Sequence, residues 1–328
     1  MKLPKRIMCA ILACLTLALC APAASAAGFS DTKGHWAESY INDAVKHGYV
    51  NGYGDNTFAP SKAITRAEFC KMINSALGLK AQTTLAFTDI SSGKWYYSDI
   101  QKAVAAGYIA GYEDNTFKGD SSITRQEAVV LSRITSDPSL SKDISALKDS
   151  SKIASWALSG VKHVYAKGYM TGDNLKMFNP QGNLTRAEAV KILETLLSKE
   201  TIVKDNLTVS ASGQVYSDKI YVGSVIISDK IGSGSVTFSG CRILGTLLIN
   251  GGGSSGIRLY DTGVSSITAD SKTSPGIACA GASTVNSTYV SSPCSLAEGG
   301  IESPGQGFKS VTIGSGTYNV DISLTGAF

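Results

Sequence analysis

The chain has 328 residues, 43% of them hydrophobic and only 17% charged, with 30 Lys+Arg against 26 Asp+Glu. A net charge of +4 is too small for the dense cationic surface of a nucleic-acid binder. Its 34 glycines and 8 prolines at modest charge also argue against a wholly disordered chain, and the length suits two or three domains.

Lys2, Lys5 and Arg6 precede an apolar run from Ile7 to Leu19 that is shorter than the roughly 20 residues a membrane helix needs. Ala24-Ser25-Ala26 then supplies a small-residue cleavage pattern, so residues 1–26 read as a signal peptide and the mature chain is expected outside the cell without a membrane span. Cleavage leaves Cys70, Cys241, Cys279 and Cys294. Cys70, among Phe69, Met72 and Ile73, reads as a buried free thiol. Cys279 and Cys294 are candidates to bridge across a loop or to stay free, and without a Cys-x-x-Cys pair no metal or cofactor is expected.

Three repeats follow. Phe29-Ser30-Asp31, Phe87-Thr88-Asp89 and Leu147-Lys148-Asp149 open them, and Trp36, Trp95 and Trp156 come next. Twelve residues after each tryptophan stands a glycine (Gly48, Gly107, Gly168), and eighteen after each glycine an arginine (Arg66, Arg125, Arg186). Trp36, Tyr40, Ile41, Ala44 and Val45 form a helical stripe that Gly48 should end in the left-handed region. A Gly-rich turn closed by Phe58, Phe117 or Phe178 leads to a second helix.

That helix opens with Thr65 and Glu68, Thr124 and Glu127, or Thr185 and Glu188, the spacing of a capping box. The arginine between them is unexpected, because a cation in the first turn opposes the helix dipole. Either an acidic neighbour such as Asp31 pairs with it, or an external anion does, helped by free amides at the helix tip. The tryptophans read equally as core anchors or ligand contacts.

These motifs resemble the S-layer homology module, over residues 29–79, 87–135 and 147–198. The resemblance implies an all-α, pseudo-threefold assembly with grooves between modules that hold a secondary cell-wall polysaccharide, commonly pyruvylated. Carried over, Arg66, Arg125 and Arg186 would meet the pyruvate carboxylate and Trp36, Trp95 and Trp156 would pack on sugar. Asp31, Asp89 and Asp149 would bond hydroxyls, while Gly52, Gly111 and Gly172 would let backbone approach the ligand. Repeat three departs from the pattern with Thr171-Gly172-Asp173, lacking the turn tyrosine, and the groove around Arg66 is expected to be the most competent.

From about Thr201 the composition shifts to Gly and Ser, without histidine. Runs starting at Val225, Val236, Leu247, Ile257 and Ile267 are 10 or 11 residues apart, which predicts an all-β domain over 205–328, a β-solenoid in preference to a sandwich, capped by 324–328. It resembles the β-helix-type segments that follow such modules. Lacking a Ser-His-Asp set or a recognisable carboxylate motif, it is read as a non-catalytic spacer or a contact to S-layer or other surface proteins. The alternative is a wall-tethered carbohydrate-active enzyme or glycan binder.

Overall fold

The computed structural model describes residues 28–301, 305–314 and 322–325; the expected signal peptide and the end of the expected cap lie outside them. The first module carries helices α1 (Glu38–Lys46) and α2 (Arg66–Leu77), the second α3 (Tyr97–Ala105), and the third α4 (Ser155–Lys167) and α5 (Arg186–Lys199). Ile41 and Ala44 give α1 its buried face, and Gly48, Gly107 and Gly168 follow the first helices with φ of +77°, +71° and +71°. The second helix expected in module two is instead a 3₁₀ segment, Glu127–Arg133. Its β-branched Val129 and Val130 disfavour an α-helix, and the segment packs tightly on α4, where a Cβ on Gly160 would stand 2.8 Å from Val129 Cγ2.

The modules close into a ring around a pseudo-threefold axis. The amide of Ile64 donates to the Leu184 carbonyl (2.9 Å), that of Leu184 to Ile123 (2.9 Å), and that of Ile123 back to Ile64 (3.0 Å). Each module thus supplies one donor and one acceptor to its neighbours, and none has its own complete set. Phe58, Phe117 and Phe178 sit fully buried in the same core.

The C-terminal half is a stack of parallel strands in two sheets, one of nine strands and one of six among the described residues. Val225 pairs with Leu247 and Leu247 with Ile267 in one sheet, while Val236 pairs with Ile257 in the other. The 10- or 11-residue step in the sequence is therefore half a turn of a β-solenoid, and successive runs alternate between sheets. In Ile257–Tyr260 the residues Ile257 and Leu259 point inward while Arg258 and Tyr260 are exposed, the alternation expected of a strand with one buried face. One ladder runs Val225, Leu247, Ile267, Thr288, Val311.

All four described cysteines are buried free thiols, so of the two readings open for Cys279 and Cys294 the free one holds. The register sets Cys279 opposite Glu298, four residues along the strand from Cys294, beyond disulfide reach.

The two halves are not joined by a linker. Only Glu200 separates α5 from the strand Thr201–Val203, and its carboxylate is held by Lys167 at 2.9 Å, Ser136 Oγ at 2.5 Å and the Tyr169 hydroxyl. Ile220 and Leu244 of the solenoid enter the hydrophobic core of the helical part. Gly240 accepts from the Asp137 amide at 2.6 Å, and Ser265 Oγ donates to the Ala106 carbonyl at 2.7 Å. No helix among the described residues is long and apolar enough to cross a membrane.

Candidate functional site: the grooves between modules

Each repeat arginine reaches out of its own module into the next. Arg66, Arg125 and Arg186 donate from Nε to the carbonyls of Phe117, Phe178 and Phe58 at 2.9, 2.7 and 2.9 Å. Each guanidinium also lies over the ring of that phenylalanine, at 4.9, 5.4 and 4.5 Å. The far ends differ. Arg66 Nη1 pairs with Glu127 at 3.0 Å and Arg125 Nη1 with Glu188 at 2.7 Å. For Arg186 no carboxylate partner exists among the described residues; its Nη2 bonds the Asn51 carbonyl at 3.2 Å, and it is stacked between Tyr53 and Phe58.

The acid that compensates two of the three arginines is thus the capping-box glutamate of the following module, not Asp31. Glu127 and Glu188 work twice, receiving the N-cap amides of Thr124 and Thr185 on one oxygen (2.8 and 2.9 Å) and an arginine on the other. Burial raises the Glu127 carboxyl, but the Thr124 amide, the Tyr112 hydroxyl at 2.7 Å, the Thr124 hydroxyl and the Arg66 charge outweigh it, so its pKa falls below 4.5.

The helix tips do not offer free amides. Arg66 N donates to the Ser121 carbonyl, Ala67 N to Gly119 and Glu68 N to Thr65 Oγ1; α5 and the 3₁₀ segment repeat the first two bonds with Lys62 and Pro60, and with Gly182 and Pro180. Ring closure consumes the donors that an anion would otherwise find there.

The three tryptophans are not core anchors. Trp36, Trp95 and Trp156 are 56%, 56% and 62% exposed. Trp36 of module one, Arg125 of module two and the Gly172–Asp173 turn of module three line a single groove of about 570 Å³, so a groove is built from all three modules. Lys191 Nζ lies 6.0 Å from the Trp36 ring centroid and Lys71 Nζ 5.3 Å from that of Trp95. Sequence reasoning missed both lysines, although each stands five residues after its arginine.

The aspartates and glycines are engaged by the fold itself. Asp31 accepts from the amides of Phe58 and Ala59 at 2.8 and 2.7 Å, Asp89 from Phe117 and Lys118 at 2.8 and 2.7 Å, and Asp149 from Phe178 and Asn179 at 2.8 and 2.7 Å. These bonds hold the left-handed residues Ala59, Lys118 and Asn179 at the end of each turn. A Cβ on Gly52, Gly111 or Gly172 would meet Phe29, Phe87 or Leu147 at 2.0, 2.4 and 2.7 Å. The close approach these glycines permit is therefore to the apolar residue that opens their own module.

Residues 28–70, 86–129 and 146–190 each match the S-layer homology domain, so the helical part is three such domains in tandem, followed by a β-solenoid. Among similar proteins, the amylopullulanase of Thermoanaerobacterium thermosulfurigenes is 34% identical over 177 residues, 52% of this chain and 10% of that protein. The surface-layer 125 kDa protein of Lysinibacillus sphaericus is 28% identical over 181 residues, 54% of this chain and 15% of its own length. The cellulosome-anchoring protein of Acetivibrio thermocellus is 40% identical over 109 residues, 31% of this chain and 24% of its own. The chain spans no more than about a quarter of the length of these relatives. The domains and the surface-protein relatives indicate a secreted protein of the cell wall or S-layer surface.

Proposed function

We propose that the three modules attach this protein non-covalently to a pyruvylated secondary cell-wall polysaccharide, without catalysis, and that the groove containing Arg186 is the one that takes the ligand carboxylate. The observation that carries the reading is the asymmetry among the arginines. Arg66 and Arg125 face an internal glutamate, whereas among the described residues the charge of Arg186 is offset only by carbonyls and ring faces. A carboxylate arriving there replaces no existing ion pair, and a planar guanidinium can bind it through two parallel bonds. By the pseudo-threefold relation to the groove of Trp36, Arg125 and Lys191, Trp95 and Lys71 belong to the Arg186 groove and offer it an exposed aromatic face and a second cation.

This moves the expected strongest groove from Arg66 to Arg186. The solenoid, fixed to the modules through Glu200 and a shared core, is carried on the wall as a rigid outward surface for other surface proteins. Sedimentation of the full chain with purified wall sacculi tests the reading. Arg186→Gln should weaken binding about tenfold, given roughly 1.5–3 kcal/mol for a charge-assisted hydrogen bond. Arg66→Gln should weaken it less, and chemical removal of pyruvate should weaken the wild type as much as Arg186→Gln does. Equal binding before and after that removal would overturn the assignment of the carboxylate.

A further inference from the structure

The third groove departs from the other two. At the position held by Lys71 and Lys191 in modules one and three, module two has Val130, so Trp156 lacks the module lysine that Trp95 and Trp36 possess. Trp156 and Val130 instead line a cleft of about 770 Å³ whose opposite wall is the solenoid. Arg133 from module two, with Arg242 and Lys309 from the solenoid, bring three cations into it, and no carboxylate lines it among the described residues.

Arg242 has the marks of a built site. Its residue is 5% exposed. One end is fixed by Nη2 bonds to the Ala106 carbonyl at 3.2 Å and Ser265 Oγ at 3.4 Å, while its buried Nε has no partner. The surroundings are shaped around it, since a Cβ on Gly263 would stand 2.4 Å from Nη1. Burial, then the charge of Arg133, depress the Arg242 pKa to about 10, and both arginines push Lys309 down after its own desolvation. Three cations gathered without an acid among the described residues leave a charge that a bound anion would neutralise.

We infer that this cleft is a binding subsite for an acidic carbohydrate, with the sugar face on Trp156 and its carboxylate among Arg133, Arg242 and Lys309. The solenoid is then part of the glycan-binding surface. The inference draws on the anchoring reading only for the kind of ligand, and its residues are separate from Arg186.

The test uses the full mature chain with Trp36→Phe and Trp95→Phe, so that Trp156 alone reports by fluorescence. Titration with oligogalacturonate should give a saturable change, and maltotriose should give none. Adding Arg133→Met and Lys309→Met should weaken that response tenfold or more while the far-ultraviolet spectrum stays unchanged, since both side chains are exposed. No saturable response to oligogalacturonate, or one that survives the double substitution, would overturn the subsite. An equal response to inorganic phosphate alone would overturn its carbohydrate specificity. Sacculi binding that fails for the chain with all three tryptophans, while Trp156 still responds in the single-tryptophan variant, would remove the anchoring reading and leave the cleft; the reverse result would remove the cleft alone.

Discussion

At the scale of single residues, the repeat arginines show how one conserved spacing within a chain serves different ends in different copies. Arg66 and Arg125 cross-link modules through Glu127 and Glu188, and among the described residues no acid matches the charge of Arg186. The Glu127 pair makes the module one–two contact sensitive to acid. Its folded pKa is depressed, so its contribution is fully present above the unfolded value near 4.5 and is lost as pH falls through the lower folded value. Denaturant midpoints measured from pH 6 to pH 3 should fall across that interval, and Glu127→Gln should be less stable at pH 6 with a shallower acid dependence. A parallel fall in both proteins would place the acid sensitivity elsewhere.

Among the elements, the solenoid ladder contains one polar residue among aliphatic ones. Thr288 is 1% exposed and its Oγ1 has no hydrogen-bond partner. Thr288→Val keeps the shape, removes a buried unsatisfied hydroxyl, and should stabilise the protein by about 1–3 kcal/mol, read from the denaturant midpoint; a loss of stability would mean that the hydroxyl is satisfied in solution. The elements were also where the sequence could be read most directly. Capping boxes, left-handed glycines and the inward-facing strand residues follow from local chemistry, so their positions were legible. The 3₁₀ segment at Glu127–Arg133 was not, because its form depends on the approach of Gly160 from a later helix. Nor were the arginine partners, which lie 61 and 63 residues away in the chain, or the roles of Asp31, Asp89 and Asp149, whose acceptor pattern appears only once the turns close. Trp36, Trp95 and Trp156 sat in an apolar-looking stripe, yet Trp36 and Trp95 precede their helices, Trp156 is the second residue of α4, and all three face outward.

For the whole molecule, the absence of a linker and the entry of Ile220 and Leu244 into the helical core couple the halves thermodynamically. Heating the full chain should give one cooperative transition, and a chain ending at residue 199 should melt at lower temperature than the full protein. Two separate transitions, with the first matching the truncated chain, would show that the halves melt independently. The ring of three backbone bonds through Ile64, Leu184 and Ile123 has a consequence for ancestry as well. A unit that donates to one neighbour and accepts from the other cannot be dropped or duplicated singly without leaving two raw ends in the middle of the assembly. Lineages carrying this architecture should therefore gain and shed repeats as whole triads.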